Sequence, residues 1–234
     1  MIDSIKKTLE YCTANFSPYQ HRQVRIIEFP RYRTYAQSLP NTIAFSENAH
    51  FIDDVRNKED LDMVFYITAH EVAHQWWGHQ VCPGATQGWS MVIESMAQYS
   101  ALMVMEKEFN RAGMRKFLAY ELDRYLQGRG RERVREMPLL QVEDQPYIHY
   151  CKGSLIMYAL RDFIGEDVFN GALRRFMKAT AYQEPPYTNS RELLERIREV
   201  IPEHLRYFAE DMFETITLYD NRAERATVIG GRCL

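Results

Sequence analysis

The sequence contains no apolar run long enough to cross a bilayer: stretches such as Ala101 to Met105 fall far short of the ~20 residues a membrane helix needs. Its start, Met1 to Glu10, is charged and lacks the apolar centre of a secretory signal, so it reads as carrying no targeting address. Cysteine is scarce. The four present, at positions 12, 82, 151 and 233, form no C-x-x-C pair and no dense framework, and read as ordinary reduced thiols. Neither sign of charge dominates, with 29 basic against 32 acidic side chains and a net charge of -3, so no global field favours nucleic acid or an anionic surface. Partners must be argued from sites. Low complexity is absent as well: 46% hydrophobic and 26% charged residues over 234 positions describe a folding chain of one large domain or two small ones.

What is present is a change of texture along the chain. Met1 to Pro18 shows one helical pattern (Ile2, Ile5, Leu9) that Ser17-Pro18 ends. Gln23 to Phe29 and Thr42 to Ser46 read as two strands joined by a loop through Pro30 and Leu39-Pro40-Asn41, which predicts a small sheet. From about residue 59 to 77 the period becomes helical, with Met63, Tyr66, Ile67, His70, Ala73, His74 and Trp77 in phase and Gly78 just past the end. Val81 to Gly88 reads as a loop, and Ser90 as the N-cap of a helix running to Phe109. Further helices are expected at Ala112 to Leu126, Gly153 to Ile164, Asp167 to Ala181, Ser190 to Val200 and His204 to Phe213, with a solvated Arg/Glu loop between Gly128 and Pro138. Thr215 to Leu218 and Ala226 to Ile229 return to strand character without an obvious partner sheet, which suggests a segment of a longer protein.

The chemistry concentrates in His70-Glu71-Val72-Ala73-His74. Two histidines four apart share one helical face and can grip a tetrahedral zinc from one side, with Glu71 beside the open position. The same pattern also arises on amphipathic helices whose histidines are merely packed, so a third ligand has to decide. Glu94, flanked by apolar residues near the start of the next helix, is the candidate, because a carboxylate on an inward face needs a partner. A helix-start acid facing solvent is the plainer alternative. Cys82, Cys151 and His79 are poorer ligand candidates, Gln98 could orient a ligand from behind, and Trp76, Trp77 and Trp89 could line a cleft although large apolar side chains are first of all core.

With these residues in view, the sequence resembles the zinc aminopeptidases of the gluzincin clan, the family of alanyl aminopeptidase and leukotriene hydrolase. His70 to Gly78 resembles the family's H-E-x-x-H-Q-W-[FW]-G, Tyr150-Cys151-Lys152-Gly153 resembles its Y-x-K-G, and Ser46-Glu47-Asn48 resembles the end of its G-x-M-E-N. The resemblance implies an α+β, mostly α fold: a thermolysin-like catalytic domain over 1–213, with a small N-terminal sheet at about 20–58, a helical lobe at about 59–213, and a following β segment beginning at 214–234. It implies one Zn²⁺ per chain held by His70, His74 and Glu94, with Glu71 as general base, Tyr150 stabilising the oxyanion and Glu47 binding the free amine of a peptide substrate. The wording around Pro146 to Tyr150 is similar to a bacterial branch joined to an ABC-type permease, which implies a parent protein in the inner membrane although this chain carries no membrane segment.

The pattern also departs from the family. Nineteen residues, Gln75 to Ile93, separate His74 from Glu94, one more than the family's usual spacing, and the loop with Pro83 and Gly84 is the expected place for the extra one. Ile93 and Ser95 flank Glu94 in place of Asn and Gly, Ala44 and Ser46 replace Gly and Met before Glu47, and His79 replaces an Asn. Two readings follow: zinc-dependent hydrolysis that removes N-terminal residues, or a non-catalytic peptide-binding or docking module of degenerate peptidase fold. Glu71 and Tyr150 favour the first, since binding alone needs neither a base nor an oxyanion donor. A narrower rival is an endopeptidase, favoured if Glu47 proves unnecessary.

Overall fold

A computed structural model describes residues 1–57, 60–217, 228–229 and 232–233. Helix α1 (Ile2–Asn15) is followed by a three-stranded sheet of β1 (Arg25–Phe29), β2 (Ala36–Leu39) and β3 (Thr42–Ser46). The order is β1-β3-β2, with β1 parallel and β2 antiparallel to β3. Strand β2 was not expected from the sequence. Its Ala-Gln-Ser-Leu run has little intrinsic strand preference, and it forms because Pro40 and Asn41, the latter at φ 51°, turn the chain back to pair Leu39 with Thr42. It lies at the sheet's edge, with one side paired to β3.

Helix α2 (Met63–Ala73) carries the two histidines. It starts later than the periodicity suggests because Asp62 caps it, its carboxylate accepting from the Phe65 N–H at 2.8 Å. Its end is earlier too, and His74 to Trp77 form tighter turns that close at Gly78, whose φ of +123° suits glycine. Val64, Phe65, Tyr66, Ala69, Val72 and Ala73 are all buried, so α2 is apolar around its circumference, as a helix enclosed by the rest of the fold must be. Just beyond it, Trp76 and Trp77 lie fully in the core, with their indole N–H groups donating to the Ser17 carbonyl and the Ser100 hydroxyl.

Helix α3 (Met96–Gly130) is two helices joined at Asn110 (φ 58°, ψ 175°), whose side-chain oxygen accepts from the N–H groups of Ala112 and Gly113 and caps the second half. The sequence division near residue 110 is therefore present. The second half continues through Gly128 and Gly130, where a loop was expected; Gly128 is required there because a Cβ would come 2.3 Å from the Tyr147 side chain. Ser90 donates to the Val142 carbonyl instead of capping a helix. Helices α4 (Gly153–Ile164), α5 (Glu166–Thr180) and α6 (Ser190–Arg198) follow as expected, and the stretch 203–214 is a broken helix containing α7 (Arg206–Ala209). The expected strand Thr215 to Leu218 is irregular over 215–217 and ends outside the described residues, and half of the other one, 226–227, also falls outside them. Within what is described, β4 (Val228–Ile229) pairs antiparallel with β5 (Arg232–Cys233). No described helix is long and apolar enough to cross a membrane.

Candidate metal centre and cleft

The end of α2 places His70 and His74 one turn apart, so their Nε2 atoms meet at 2.9 Å. The His74 Nδ1–H donates to the Trp77 carbonyl at 2.9 Å, which leaves Nε2 as the atom that can face a metal once it gives up its proton. Glu94 Oε2 lies 3.3 Å from both Nε2 atoms. All three donor atoms fall within a 4.8 Å cluster. Tetrahedral zinc with bonds of ~2.0–2.1 Å separates neighbouring donors by roughly 3.3 Å. Glu94 Oε2 is buried with no hydrogen-bond partner, an arrangement that is costly unless a cation completes it. The residues present therefore fit a divalent metal.

Glu94 owes its position to an irregularity. Met91–Ser95 winds as a π-turn, which takes in one residue more than an α-turn, before α3 begins at Met96. This supplies a place for the extra residue in the Gln75–Ile93 spacing within the ligand's own turn, in addition to the Pro83–Gly84 loop. Tyr150 is carried by a second π-turn, Tyr147–Lys152, leading into α4. The two turns are bolted together. The Ser95 hydroxyl donates to the His149 carbonyl at 2.6 Å, and a Cβ at Gly153 would lie 2.3 Å from Ser95 Oγ, so only glycine allows this approach. Lys152 points away and pins its turn to buried Glu136 at 2.6 Å, which also pairs with Arg129 at 2.9 Å.

The electrostatics suit the same chemistry. Burial alone would lower the His74 pKa, but the Glu94 carboxylate, Glu71 and the Trp77 carbonyl outweigh it and raise it to about 9. Burial opposes Glu94's charge, yet the two histidines hold its carboxyl well below the usual range. Burial and then the nearby Glu94 and Glu71 push the Tyr150 hydroxyl far up, keeping it a protonated donor. Burial lowers His149 to about 4, so it is a neutral ring packed 4.5 Å from Tyr150.

Two cavities flank the centre and share His70, Glu71, Tyr150, Tyr35 and Ala36. One of 570 Å³ adds Gln37, Ser38, His74, Gly78, His79, Trp89, Ile93 and Glu94. The other, of 320 Å³, adds Thr34, Ala49, His50, Ile67, Gln98, Tyr120 and Arg124 among its walls. Together they form a cleft between the β2 edge and the helices. Glu71, His70, His74, Glu94 and Tyr150 converge here. Glu47 does not: it follows central strand β3, pairs with Arg31 at 3.5 Å and is absent from the walls of both cavities. His79 is on the rim and Gln98 on a wall, while Trp89 alone of the three tryptophans reaches the cleft. Cys12 and Cys151 are buried thiols, and Cys82 is exposed outside both cavities. Sequence reasoning missed Gln37, Ser38 and Arg124. Nothing in spacing marks them; only the edge position of β2 and the turn of α3 bring them in.

One helix position links the two sides of the cleft. Gln75, next to His74, donates from Nε2 to the Ser38 hydroxyl at 2.7 Å and the Leu39 carbonyl at 2.9 Å, and its Oε1 accepts from the Asn41 N–H at 3.0 Å.

The fold is shared with known proteins. Residues 1–212 match the Peptidase family M1 domain. The chain belongs to that family. A probable aminopeptidase 1 from Sulfurisphaera tokodaii is 25% identical over 186 residues, covering 75% of this chain and 23% of that protein. Aminopeptidase M1 of Arabidopsis thaliana is 24% identical over 189 residues, covering 75% and 21%. The chain thus spans about a quarter of the length of these relatives. Among solved structures, the M1 zinc metallopeptidase of Deinococcus radiodurans superposes with a TM-score of 0.67 at 19% identity, covering 92% of this chain and 44% of that one. Yeast leukotriene A4 hydrolase gives 0.71 at 15% identity, covering 94% and 36%. At these identities the structures establish the fold alone: a family M1 fold, mostly helical with a small sheet, as expected from the sequence.

Proposed function

We propose that this M1 domain is a zinc-dependent peptidase of the aminopeptidase class, in which His70, His74 and Glu94 hold one Zn²⁺. The observation that carries the reading is the convergence of two imidazole Nε2 atoms and a buried carboxylate oxygen on one point, beside the Glu71 carboxyl group and a protonated phenol. Zinc bound there supplies Lewis acidity, acidifying water towards a pKa of ~7 and polarising a peptide carbonyl. Glu71 is not in the ligand triangle yet lines both cavities, so its carboxylate is available to take a proton from water and return it to the leaving amine. The Tyr150 hydroxyl donates to the carbonyl oxygen as charge develops on it, an interaction strongest in the transition state.

Release of N-terminal residues is supported by the names of the relatives. Glu47 gains no support as the amine anchor, because it pairs with Arg31 outside the cleft. That observation favours a second reading, cleavage within a peptide. Metal content by elemental mass spectrometry, with His70→Ala as control, tests the site: one zinc per chain lost in the variant supports it, and no zinc after reconstitution refutes it. Hydrolysis of a free peptide against its N-acetylated form then separates the two readings, a large loss on acetylation marking the aminopeptidase. The resemblance of the Pro146–Tyr150 run extends the reading to a larger protein joined to an ABC-type permease in a bacterial inner membrane, which fractionation of native membranes would test.

A further inference from the structure

The smaller cavity contains a cation that the proposed chemistry does not use. Arg124, on the second half of α3, lines the 320 Å³ cavity together with His70, Glu71 and Tyr150. Its partner Glu121 is fully buried, accepts from the Tyr66 hydroxyl at 2.9 Å, and takes Arg124 Nη1 on both carboxylate oxygens at 3.1 and 3.3 Å. The guanidinium is also stacked at 5.3 Å over the Tyr120 ring. Its orientation is therefore fixed from behind, while its side chain remains 39% exposed on the cleft side. A guanidinium stays charged at any working pH and carries five donors, of which this contact uses those of one nitrogen. Besides Glu71, no carboxylate among the described residues lines this cavity, and of its two histidines His50 is paired with Asp53 and His70 with Glu94. Tyr120 and Gln98 add further donor groups to the same wall.

The direction of a bound peptide follows from β2. Its outer edge pairs with no other strand among the described residues, although Gln75 Nε2 takes the Leu39 carbonyl at its end, and antiparallel addition is the more stable mode per residue. Residues 34–36 line the Arg124 cavity and Tyr35 to Ser38 the larger one. A peptide running antiparallel to β2 places its N-terminal part beside Ser38 and the part after the broken bond beside Thr34, on the Arg124 side.

We infer that Arg124 is a specificity-determining residue that binds a carboxylate on the leaving side of the scissile bond. This rests on the peptidase reading for the position of that bond. Two substrate sources present the same chemistry: the C-terminal carboxylate of a dipeptide and the side chain of an acidic residue. Both are tested by calorimetric titration of the zinc-loaded Glu71→Gln chain, which reads binding without turnover. Alanyl-alanine and alanyl-aspartic acid α-amide bind about tenfold more tightly than alanyl-alaninamide, as one charge-assisted contact provides. Arg124→Gln removes the difference. Glu121→Gln enlarges it by freeing the guanidinium, an opposite change that misfolding does not produce. If only one of the two carboxylate ligands gains, that source is the one the site takes. Equal binding of all three peptides, no binding of any, survival of the preference in Arg124→Gln, or a greater gain for aspartyl-alaninamide would overturn the inference. The peptidase reading fails separately: a zinc-loaded wild-type chain that shows this binding pattern and cleaves none of the peptides keeps the anchor and loses the hydrolase.

Discussion

The two walls of the cleft are built to different standards. The helical wall is buried and constrained from several directions: His74 by the Trp77 carbonyl, the Glu94 turn by Ser95 against His149, and the Tyr150 turn by Lys152 on buried Glu136. The sheet wall is three short strands, with an edge strand of four residues and with Tyr32, Tyr35 and Leu39 exposed. The groups proposed to act on a reacting atom are held on the rigid side. The surface proposed to meet the peptide chain is the thin one, an edge strand paired on one side only.

This contrast can be tested by injuring each wall in turn. The largest effect is expected for Glu71→Gln, which keeps shape and metal but removes the base; peptide hydrolysis should fall by roughly 10²–10⁴-fold with zinc content unchanged. Tyr150→Phe comes next, with a loss of about 10²–10³-fold in kcat and little change in KM, measured by steady-state kinetics. Gly153→Ala attacks the contact between the two π-turns. Overpacking there should cost about 1–3 kcal/mol in thermal or denaturant unfolding and lower kcat as well. Retention of full activity in that variant would show that the helical wall is less constrained than its packing indicates.

A subtler test uses protons in place of zinc. The His74 pKa is raised from 6.5 to about 9 by Glu94, Glu71 and the Trp77 carbonyl against the opposing effect of burial. A raised histidine stabilises the fold fully below its unfolded value and loses that contribution as pH climbs through its folded value. The chelated, zinc-free chain should therefore lose stability between pH 6.5 and 9 relative to His74→Ala, and zinc binding near neutrality should release a proton. Calorimetry in buffers of different ionisation enthalpy reads that proton. The smallest effect belongs to the end of the sheet outside the cleft: Glu47→Ala, which removes a surface ion pair with Arg31, should change stability by about 1 kcal/mol or less and leave hydrolysis of free peptides unchanged. A large loss of activity specific to free amines would restore Glu47 as the anchor.

The same contrast explains what could be read from the sequence. Helical periodicity and a motif with an interior spacing of four identify α2 and its histidines, because one period governs both burial and metal geometry. The break near residue 110 is legible in Asn110 and Gly113. The π-turns are not, since their only trace is a spacing one residue long, and such a residue can be placed anywhere between Gln75 and Ile93. Strand β2 is hidden because Ala36, Gln37 and Ser38 carry no strand preference and are held by a neighbour's turn. Glu47 attracted a role from its neighbour Asn48, whereas the chain reversal at Pro40 and Asn41 gives the cleft edge to Ser38. Arg124 could not be found by pattern, because a charged residue on an amphipathic helix looks the same whether it faces water or a catalytic cavity.

Gln75 gives the cleft a mechanical property. A single amide side chain, one residue after the proposed metal ligand His74, spans to three groups of the β2–β3 turn and acts as a strut between the opposing walls. The gap is thereby gauged by the length of a covalent side chain, so peptides must be sorted by what lines the opening and not by how far it yields.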